Sequence, residues 1–383
     1  MKKIKVQFDF KITKKQHSLY NSYFDYPPKG VIYTKSEFKG IGKKTYSPLR
    51  FIYKFLKIPL NKVFPNLERK IKDFLRKEKG VDIIHFANHI GKTNKPFVAD
   101  YEVGVSLTRG DFYNKGAQTE AKKLLSQKNL KCLLPIHKEA LKCFNLYFKD
   151  CNLNIKQKVV YPVAFIPEKY RKKVKKENIV VFGGSSNIKN EHSFYRKGGY
   201  EVLFAFERLA DKFPKTKFVF LGNALSSTKI PKKKNLIVKE VIPLEELYDL
   251  LNKSKMFIQP CYSTPAMMFL IAMFFKLPII TYDYWANKEY VTSKTGILVK
   301  PQKIDILNEF NFLRTDSDVA EKIKENAPQN SLKVEKAIEF LLKNEKKREK
   351  MGEACFKEVT KGKFSIEKRN KKIRKIYEEA LGK

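Results

Sequence analysis

Residues 179–223 read IVVFGGSSNIKNEHSFYRKGGYEVLFAFERLADKFPKTKFVFLGN, and this stretch decides the fold. A β-branched run ends in Gly183-Gly184, a polar loop follows, and residues 196–199 (RKGG) lead into an amphipathic helix. A second apolar run then ends at Gly222-Asn223. The pattern predicts one strand–helix–strand unit of a parallel sheet. Ligands bind such sheets beyond the carboxyl ends of the strands, where these glycines and cations fall.

The rest of the chain continues this alternation of strands and helices. In the second half we predict strands at residues 179–184, 217–222, 236–242, 256–260, 278–282 and 296–299. Helices are predicted there at residues 198–212, 244–253, 265–276, 333–343, 345–360 and 364–381. In the first half the patterns predict strands at 3–10, 82–86, 96–101, 131–135 and 159–165, and helices at 47–80, 117–129 and 136–149. This order indicates an α/β fold built on parallel sheets.

The length of 383 residues fits two domains. The polar segment 167–178 (PEKYRKKVKKEN) has the composition of a linker. We therefore predict an N-terminal domain over residues 1–166 and a C-terminal domain over residues 179–362. Residues 363–383 form a final charged helix in this prediction.

The chain is strongly basic, with 79 Lys and Arg against 40 Asp and Glu and a formal net charge of +39. Nucleic acid, an anionic membrane surface and phosphorylated substrates are the partners that such a charge suits. The abundance of Lys, Ile, Asn, Phe and Tyr is equally typical of an AT-rich genome, and the charge is spread along the whole chain. No helix-turn-helix, RRM or zinc module is recognisable, so nucleic acid is not favoured as a partner.

The five cysteines include no CxxC pair, so neither a zinc site nor a disulfide framework is indicated. The start MKKIKVQFDF alternates as a strand does, and no apolar run reaches the ~18 residues of a membrane span. These features predict a cytoplasmic protein. The stretch 49–64 (LRFIYKFLKIPLNKVF) is either a core helix broken by Pro59 or a surface that rests on the inner face of the membrane.

The loop between Gly183 and the helix at 198–212 is the first candidate binding site. It matches neither the Walker A loop GxxxxGK[ST] nor the dinucleotide fingerprint GxGxxG. Gly183 and Gly184 nevertheless allow a close backbone approach, and Arg196 and Lys197 supply positive charge at a helix start, which favours an anion. The alternative is that the glycines only make tight turns and the cations are solvated.

Two further segments would meet the same edge of the sheet. In residues 256–276 (MFIQPCYSTPAMMFLIAMFFK), Ser263 or Thr264 would cap a buried helix that begins near Ala266. That helix start is a second candidate anion site, although a plain buried helix explains the same residues. The loop within residues 281–301 adds Glu289, as a ligand contact or as part of an ordinary loop.

The first half brings titratable side chains to the ends of two predicted strands. His85 ends one strand and His89 follows it, while Asp100 and Glu102 end the next. Groups of this kind suit general acid/base chemistry, and His85 and Glu102 are the candidate catalytic residues. The alternative for a single histidine is a structural role.

Residues 179–301, with FGG, RKGGYEVLFAFERLADKFPKTKFVFLG and the segment that ends TGILVKP, resemble the donor domain of family 4 glycosyltransferases with the GT-B fold. DIIHFANHIGKTNKPFVADYE in the first half fits the same family more loosely. The resemblance implies two Rossmann-like domains that face each other across a cleft, with the C-terminal helix crossing back to the first. It also implies sugar transfer from a nucleotide-sugar, with retention at the anomeric carbon and with neither a cofactor nor an essential metal.

The family's binding residues transfer only in part. The glycine turn falls on Gly183 and the lysine before glycine falls on Lys197, whereas Gly184 stands where the family has an arginine. The family's paired glutamates fall on Ser263 and Ile271. The resemblance therefore implies a diphosphate held by Lys197 and the helix start, with a saccharide or lipid-linked acceptor near the first domain. The alternative is a catalytically impaired relative that binds a nucleotide or glycan or partners an active transferase.

Overall fold

The computed structural model describes residues 3–10, 18–36, 73–74, 76–107, 115–149, 154–172, 174–184, 191–222, 230–302 and 317–383. Three predicted segments lie outside these residues: the stretch 49–64 with its two alternatives, most of the helix predicted at 47–80, and the polar loop after Gly184. The chain divides into two compact units, Met1–Tyr161 with Arg369–Lys383 and Pro162–Lys368. Each unit holds its own parallel sheet, which confirms the predicted α/β class.

The first unit is built on a parallel sheet. Its described strands are Ile4–Phe10 (β1), Val31–Lys35 (β2), Ile83–Ala87 (β3), Phe97–Tyr101 (β4) and Leu130–Pro135 (β5). Its described helices are Ser18–Asp25 (α1), Lys115–Leu125 (α2) and Lys138–Tyr147 (α3). The strand order is β2-β1-β3-β4-β5, and β3 and β4 are buried at every position, as expected for parallel strands covered on both faces.

One predicted strand of the first half is wrong. Residues 159–165 form no strand; the extended chain pairs with β5 earlier, where Leu133 and Gln157 form an isolated parallel bridge. The last bond of this pairing runs from the Val160 N–H to the Pro135 carbonyl at 2.9 Å. Pro162 has no N–H to extend the ladder, so the chain leaves the sheet there.

The second unit is built on a longer parallel sheet. Its described strands are Ile179–Gly183 (β6), Lys217–Leu221 (β7), Leu236–Lys239 (β8), Met256–Ile258 (β9), Ile279–Tyr282 (β10) and Gly296–Val299 (β11). Its described helices are Glu191–Arg196 (α4), Gly199–Lys212 (α5), Leu244–Lys253 (α6), Ala266–Phe274 (α7), Asn287–Tyr290 (α8), Ser317–Lys343 (α9) and Glu345–Thr360 (α10), and Ile366–Ala380 (α11) closes the chain. The strand order β11-β10-β9-β6-β7-β8 is that of dinucleotide-binding domains.

Helix α9 is much longer than the predicted helix at 333–343. It begins at Ser317 and includes Pro328, a residue that usually ends a helix. The Ser331 hydroxyl donates to the Pro328 carbonyl at 2.6 Å, and Ser331 is fully buried. Apolar residues of α9, Ile323 and Ile338 among them, pack into the same core as α5, which supports the helix on both sides of the proline.

The segment predicted as a linker, residues 167–178, is fastened to the second unit. The Lys176 ammonium donates to the carbonyls of Asn252 and Phe275, both at 2.8 Å, at the C-terminal ends of α6 and α7. Burial lowers the Lys176 pKa to about 8. The Arg171 guanidinium lies over the ring of Phe274, 5.6 Å from its centre. The segment thus has a fixed path on its own unit.

Helix α11 joins the first unit through a buried arginine. The Arg369 guanidinium donates to the Ser22 hydroxyl at 3.1 Å and to the Ser22 carbonyl at 2.9 Å. It also lies over the ring of Tyr23, 4.1 Å from its centre. Further along α11, Ile373 and Tyr377 pack in the core that contains β1 and β3.

Within the described residues, no helix is long and apolar enough to cross a membrane.

We predict that Arg369→Met lowers the free energy of unfolding of the first unit by about 2–4 kcal/mol, because it leaves buried polar groups of Ser22 without their donor. Hydrogen-exchange mass spectrometry checks this, since amides of β1 and α1 should exchange faster. Lys368→Met, one residue away and exposed, is the control and should leave exchange unchanged. Equal exchange in both variants would contradict the assigned role.

Candidate functional site

The second sheet has a topological switch point between β6 and β9. The chain runs from β6 to β7 on one side and from β9 to β10 on the other, so a crevice opens at the carboxyl ends of the two central strands. Gly183 ends β6 at this point, and the Gly184 N–H donates to the Leu221 carbonyl at 2.6 Å. A Cβ on Gly183 would lie 2.6 Å from the Phe257 ring, so no side chain fits there.

A glycine turn between α4 and α5 packs against the end of β9. Gly198 has a left-handed φ of 76°, and a Cβ at this position would overlap the Pro260 carbonyl. The Tyr262 N–H donates to the Arg196 carbonyl at 2.9 Å, which ties the turn to the chain that follows β9. Residues 196–199 therefore lie beside the start of α7.

Lys197 places a positive charge at that helix start. Its ammonium donates to the Ser263 hydroxyl at 2.9 Å, just before α7 begins at Ala266. The first-turn N–H groups of a helix have no partners within the helix and carry the positive end of its dipole. The structure thus places the lysine beside the helix start, a combination that is suited to an anion. The sequence predicted this convergence of Gly183, Lys197, Ser263 and Ala266.

Arg196 is half-buried beside the loop after β10. Burial lowers the pKa of its guanidinium, while Tyr284 and Cys261 act in the opposite direction. Arginine keeps its charge even with a lowered pKa, so a cation stands near the Tyr284 hydroxyl. The structure thus brings Arg196 within electrostatic reach of two of the loops at this edge of the sheet.

The capping predicted for α7 is wrong. The residue at the cap position is Pro265, with φ −83° and ψ 59°, and no side chain caps the helix. Ser263 instead accepts a hydrogen bond from Lys197, and the buried Thr264 hydroxyl has no hydrogen-bond partner. The helix begins one residue later than expected, which moves both hydroxyls away from the N–H groups they were to cap.

The loop after β10 approaches the same edge. Asn287 is fully buried, and its amide donates to the carbonyls of Cys261 at 2.9 Å and Tyr282 at 3.2 Å, which joins this loop to the one after β9. Trp285 has a left-handed φ of 48°, a strained conformation for a large side chain. Glu289 is half-buried in α8, and its carbonyl accepts from Lys363.

A buried acid lies in the first turn of α5. Glu201 is fully buried, one carboxyl oxygen accepts from the Tyr282 hydroxyl at 3.1 Å, and the other has no hydrogen-bond partner. Tyr262 packs on Tyr282 with ring centres 5.0 Å apart, and its hydroxyl accepts from Asn330 at 3.1 Å. Burial raises the pKa of Glu201 to about 8, so the carboxyl is protonated at neutral pH.

Sequence reasoning missed Glu201, Gln259 and Asn287. Glu201 falls on the apolar stripe that includes Ala205 and Leu209, and a charged residue on such a stripe is a recognisable signal. Gln259 interrupts the apolar run at the end of β9, which is a comparable signal. Asn287 lies in a short polar loop, and no periodicity distinguishes it from its neighbours.

The first unit holds His85 and Glu102 in different settings. Both ring nitrogens of His85 are occupied, Nε2 at 3.0 Å from Asp100 and Nδ1 at 2.7 Å from the Tyr377 hydroxyl, and the ring stacks on Phe8. An acid/base role for His85 does not fit this complete burial, because a central strand covered by α11 leaves no access to the ring. Glu102 is exposed just beyond β4 and stays a prediction.

No cluster of His, Cys, Asp and Glu able to hold a metal ion occurs among the residues that the structure describes. No curated protein sequence matches the chain.

Residues 168–330 match the family of glycosyl transferases group 1. This segment includes β6, the glycine turn, α7 and the loop after β10. The recognition made from residues 179–301 is therefore confirmed at the level of group 1 glycosyltransferases.

Solved structures extend the likeness to the whole chain. Sucrose-phosphate synthase from Thermosynechococcus elongatus superposes with a TM-score of 0.58 at 12% identity, covering 99% of this chain and 100% of that one. HepE from Anabaena, in complex with UDP-glucose, gives 0.57 at 12% identity, covering 97% and 98%. The pneumococcal O-GlcNAc transferase GtfA, in complex with UDP and GlcNAc, gives 0.53 at 11% identity, covering 79% and 57%. At such identities the likeness establishes the GT-B fold.

We predict that Glu201→Gln removes a pH dependence of stability. The folded chain keeps the Glu201 proton up to about pH 8, whereas a carboxyl with the ordinary pKa of 4.5 loses it earlier. The folded state then binds more protons than the unfolded state between these values, so the free energy of unfolding falls as pH rises, by on the order of 3–5 kcal/mol. Urea unfolding at pH 5, 6.5 and 8 should show a flatter profile for the variant.

Glu335→Gln is the control, because the pH dependence that Glu335 gives to the free energy of unfolding has the opposite sign. Lys212 and Arg208 hold the pKa of Glu335 below its ordinary value against the effect of burial, so its contribution is present at neutral pH and is lost on acidification. A profile for Glu201→Gln as steep as that of the unmodified protein would contradict a buried, protonated Glu201.

Proposed function

We propose that the protein is a glycosyltransferase that moves a sugar from a nucleotide-sugar donor to a saccharide or lipid-linked acceptor. One observation carries this proposal: Lys197 is held 2.9 Å from Ser263 at the start of α7, on the switch point of the second sheet. The family match covers these residues, and HepE and GtfA, whose structures contain UDP-glucose or UDP, support a nucleotide-sugar as donor.

The donor's diphosphate would lie between Lys197 and the first turn of α7. Gly183 and Gly184 would let it approach the end of β6, since neither position carries a side chain. Arg196 would add a second positive charge from the α4 side. Charge that develops on the departing diphosphate is stabilised by such fixed cations and helix N–H groups, and this is the main catalytic contribution that the site offers.

In the proposed transfer, the bond between the anomeric carbon and the diphosphate oxygen breaks and the nucleoside diphosphate leaves with the electron pair. The acceptor's hydroxyl oxygen forms the new bond to the same carbon, and its proton passes to the departing phosphate. We propose that the new bond is formed with retention of configuration and without a metal. Glu102 is the acceptor-side residue in this proposal, and Glu289 would contact the donor sugar.

The acceptor belongs to a saccharide or to a lipid-linked saccharide. The net charge of +39 supports contact with an anionic membrane face, where lipid-linked acceptors reside. We propose a cytoplasmic protein that binds such a surface peripherally. A surface with this charge would also attract the phosphates of a lipid carrier.

The second candidate is a relative with impaired catalysis, and one observation favours it. Ile271 is 7% exposed within α7 and offers no hydrogen bond, although the resemblance places a glutamate there. Ser263, at the other expected glutamate, is engaged by Lys197. A chain that binds nucleotide without transferring sugar would have this combination of kept phosphate contacts and lost carboxylates.

We predict that Lys197→Met weakens binding of the nucleoside diphosphate roughly 10- to 100-fold, as expected for the loss of one charge-assisted hydrogen bond in a partly buried site. Isothermal titration with UDP, GDP and ADP and with their glucose conjugates measures this. The control is Lys217→Met, an exposed lysine at the opposite end of the sheet, at the start of β7. It should bind as the unmodified protein does.

Transfer and donor hydrolysis are then measured with the conjugate that binds. Product formation supports the first candidate. Binding without either reaction supports the second, and in that case the joint change Ser263→Glu and Ile271→Glu should restore turnover. If the unmodified protein binds no nucleotide of the panel, both candidates fail.

A further inference from the structure

Gln259 is a buried amide without hydrogen bonds at the centre of the switch point. It follows β9 directly, and its side chain is fully buried. Among the residues that the structure describes, neither its amide nitrogen nor its amide oxygen has a hydrogen-bond partner. A buried polar group left unpaired is destabilising, so native structures rarely keep one without a reason. Here two such atoms belong to one side chain.

The sheet register places Gln259 next to the glycine that ends β6. Phe182 pairs with Ile258, so the next row across the sheet contains Gly183, Gln259 and Thr281. The Gln259 N–H continues the ladder by donating to the Ile280 carbonyl at 2.9 Å. Gln259 therefore extends β9 between β6 and β10, beside the point at which the strand order reverses.

The face of the sheet follows from alternation. Met256 and Ile258 belong to the core on the α5 side, so Gln259 points to the opposite face. That face is covered by α7, because a Cβ on Gly183 would lie 3.3 Å from the Met268 methyl group. The Gln259 side chain thus lies on the face of the sheet that α7 covers.

Two more unpaired polar atoms belong to the same region. The Thr264 hydroxyl and the Asn287 side-chain oxygen are buried and have no hydrogen-bond partner. Asn287 is bonded to the carbonyl of Cys261, two residues beyond Gln259, and Thr281 donates to the Gln259 carbonyl at 2.7 Å. Gln259 and Thr264 thus belong to the segment between β9 and α7, and the Asn287 side chain contacts that segment.

The chemistry of the three groups is neutral and offers both donors and acceptors. An amide nitrogen donates, amide oxygens accept, and a threonine hydroxyl does both. A phosphate would need donors alone, and a cation would need acceptors alone. A hydroxyl group, which donates and accepts at once, satisfies a mixed set of this kind.

We propose that Gln259, Thr264 and Asn287 form a subsite for the hydroxyl groups of the donor, either those of its ribose or those of its transferred sugar. This proposal rests on the proposed function. Gln259 reaches the ligand by turning its side chain out from below α7, and no hydrogen bond holds the amide in its present position against that turn. Three rotatable bonds allow it.

The test is Gln259→Leu, which replaces the amide by a slightly shorter, wholly apolar side chain. Because the amide is unpaired, the variant should be at least as stable to heat without ligand as the unmodified protein. Its affinity for UDP-glucose, or for the conjugate that the unmodified protein binds best, should fall about tenfold or more, since a ligand hydroxyl then loses its partners. Isothermal titration and thermal shift measure the two quantities.

Three ligands distinguish the ribose from the transferred sugar as the source of the hydroxyl groups: the nucleotide-sugar conjugate, the free nucleoside diphosphate and its 2′-deoxy analogue. A loss seen with the conjugate and not with the free diphosphate assigns the subsite to the transferred sugar. If the variant loses affinity for both the conjugate and the free diphosphate but not for the 2′-deoxy diphosphate, the subsite binds the ribose. Gln7→Leu is the matched control, because Gln7 is a buried strand glutamine of the first unit whose side-chain oxygen is also unpaired. It should bind all three as the unmodified protein does.

The outcomes distinguish this proposal from the one on which it rests. If the unmodified protein binds a conjugate and Gln259→Leu binds it equally well, the subsite is overturned and the proposed function stands. If the unmodified protein binds no conjugate, the proposed function fails and the subsite fails with it. A variant that loses affinity and is also unfolded by heat at a much lower temperature would show a structural role and overturn the subsite.

Discussion

The contact between the glycine turn and the end of β9 determines the geometry of the candidate site. Gly198 lies so close to the Pro260 carbonyl, at a φ of 76°, that any side chain would force the two apart. This approach brings Lys197 to Ser263 and sets the Arg196 carbonyl against the Tyr262 N–H. Both the glycine turn and the loop after β9 lie at the carboxyl edge of the parallel sheet. They can approach each other this closely only because Gly198 has no side chain.

Much of the fold follows from local patterns in the sequence. The stretch 179–223 predicts β6, α5 and β7 because strand and helix periodicities alternate there and glycines mark the ends. The patterns fail where tertiary contacts override local preference. Helix α9 continues through Pro328 because its apolar face packs on α5, and residues 159–165 form no strand because Pro162 cannot donate to the ladder.

The candidate site divides in the same way. The positions of Lys197, Ser263 and Gly183 could be predicted because they lie at strand and helix ends, although Ser263 does not cap α7 as expected. The burial and hydrogen bonding of Glu201 and Gln259 could not be predicted, because they depend on which side chains meet in three dimensions. His85 shows the converse, because its ring nitrogens are occupied by Asp100 and by Tyr377, a residue almost 300 positions away along the chain.

Three side chains in or near the candidate site, Ser263, Glu201 and Gln259, carry no charge at neutral pH. Ser263 contributes a neutral hydroxyl beside Lys197 where the family resemblance would place a carboxylate. Glu201, in the first turn of α5, keeps its proton because burial raises its pKa to about 8. Gln259 is an amide. A charge in a partly buried site is screened less than one in water, so an ionised carboxylate at one of these positions would act strongly on the groups around it. Glu201 is the one of the three that titrates, and its burial therefore couples the stability of the second unit to pH.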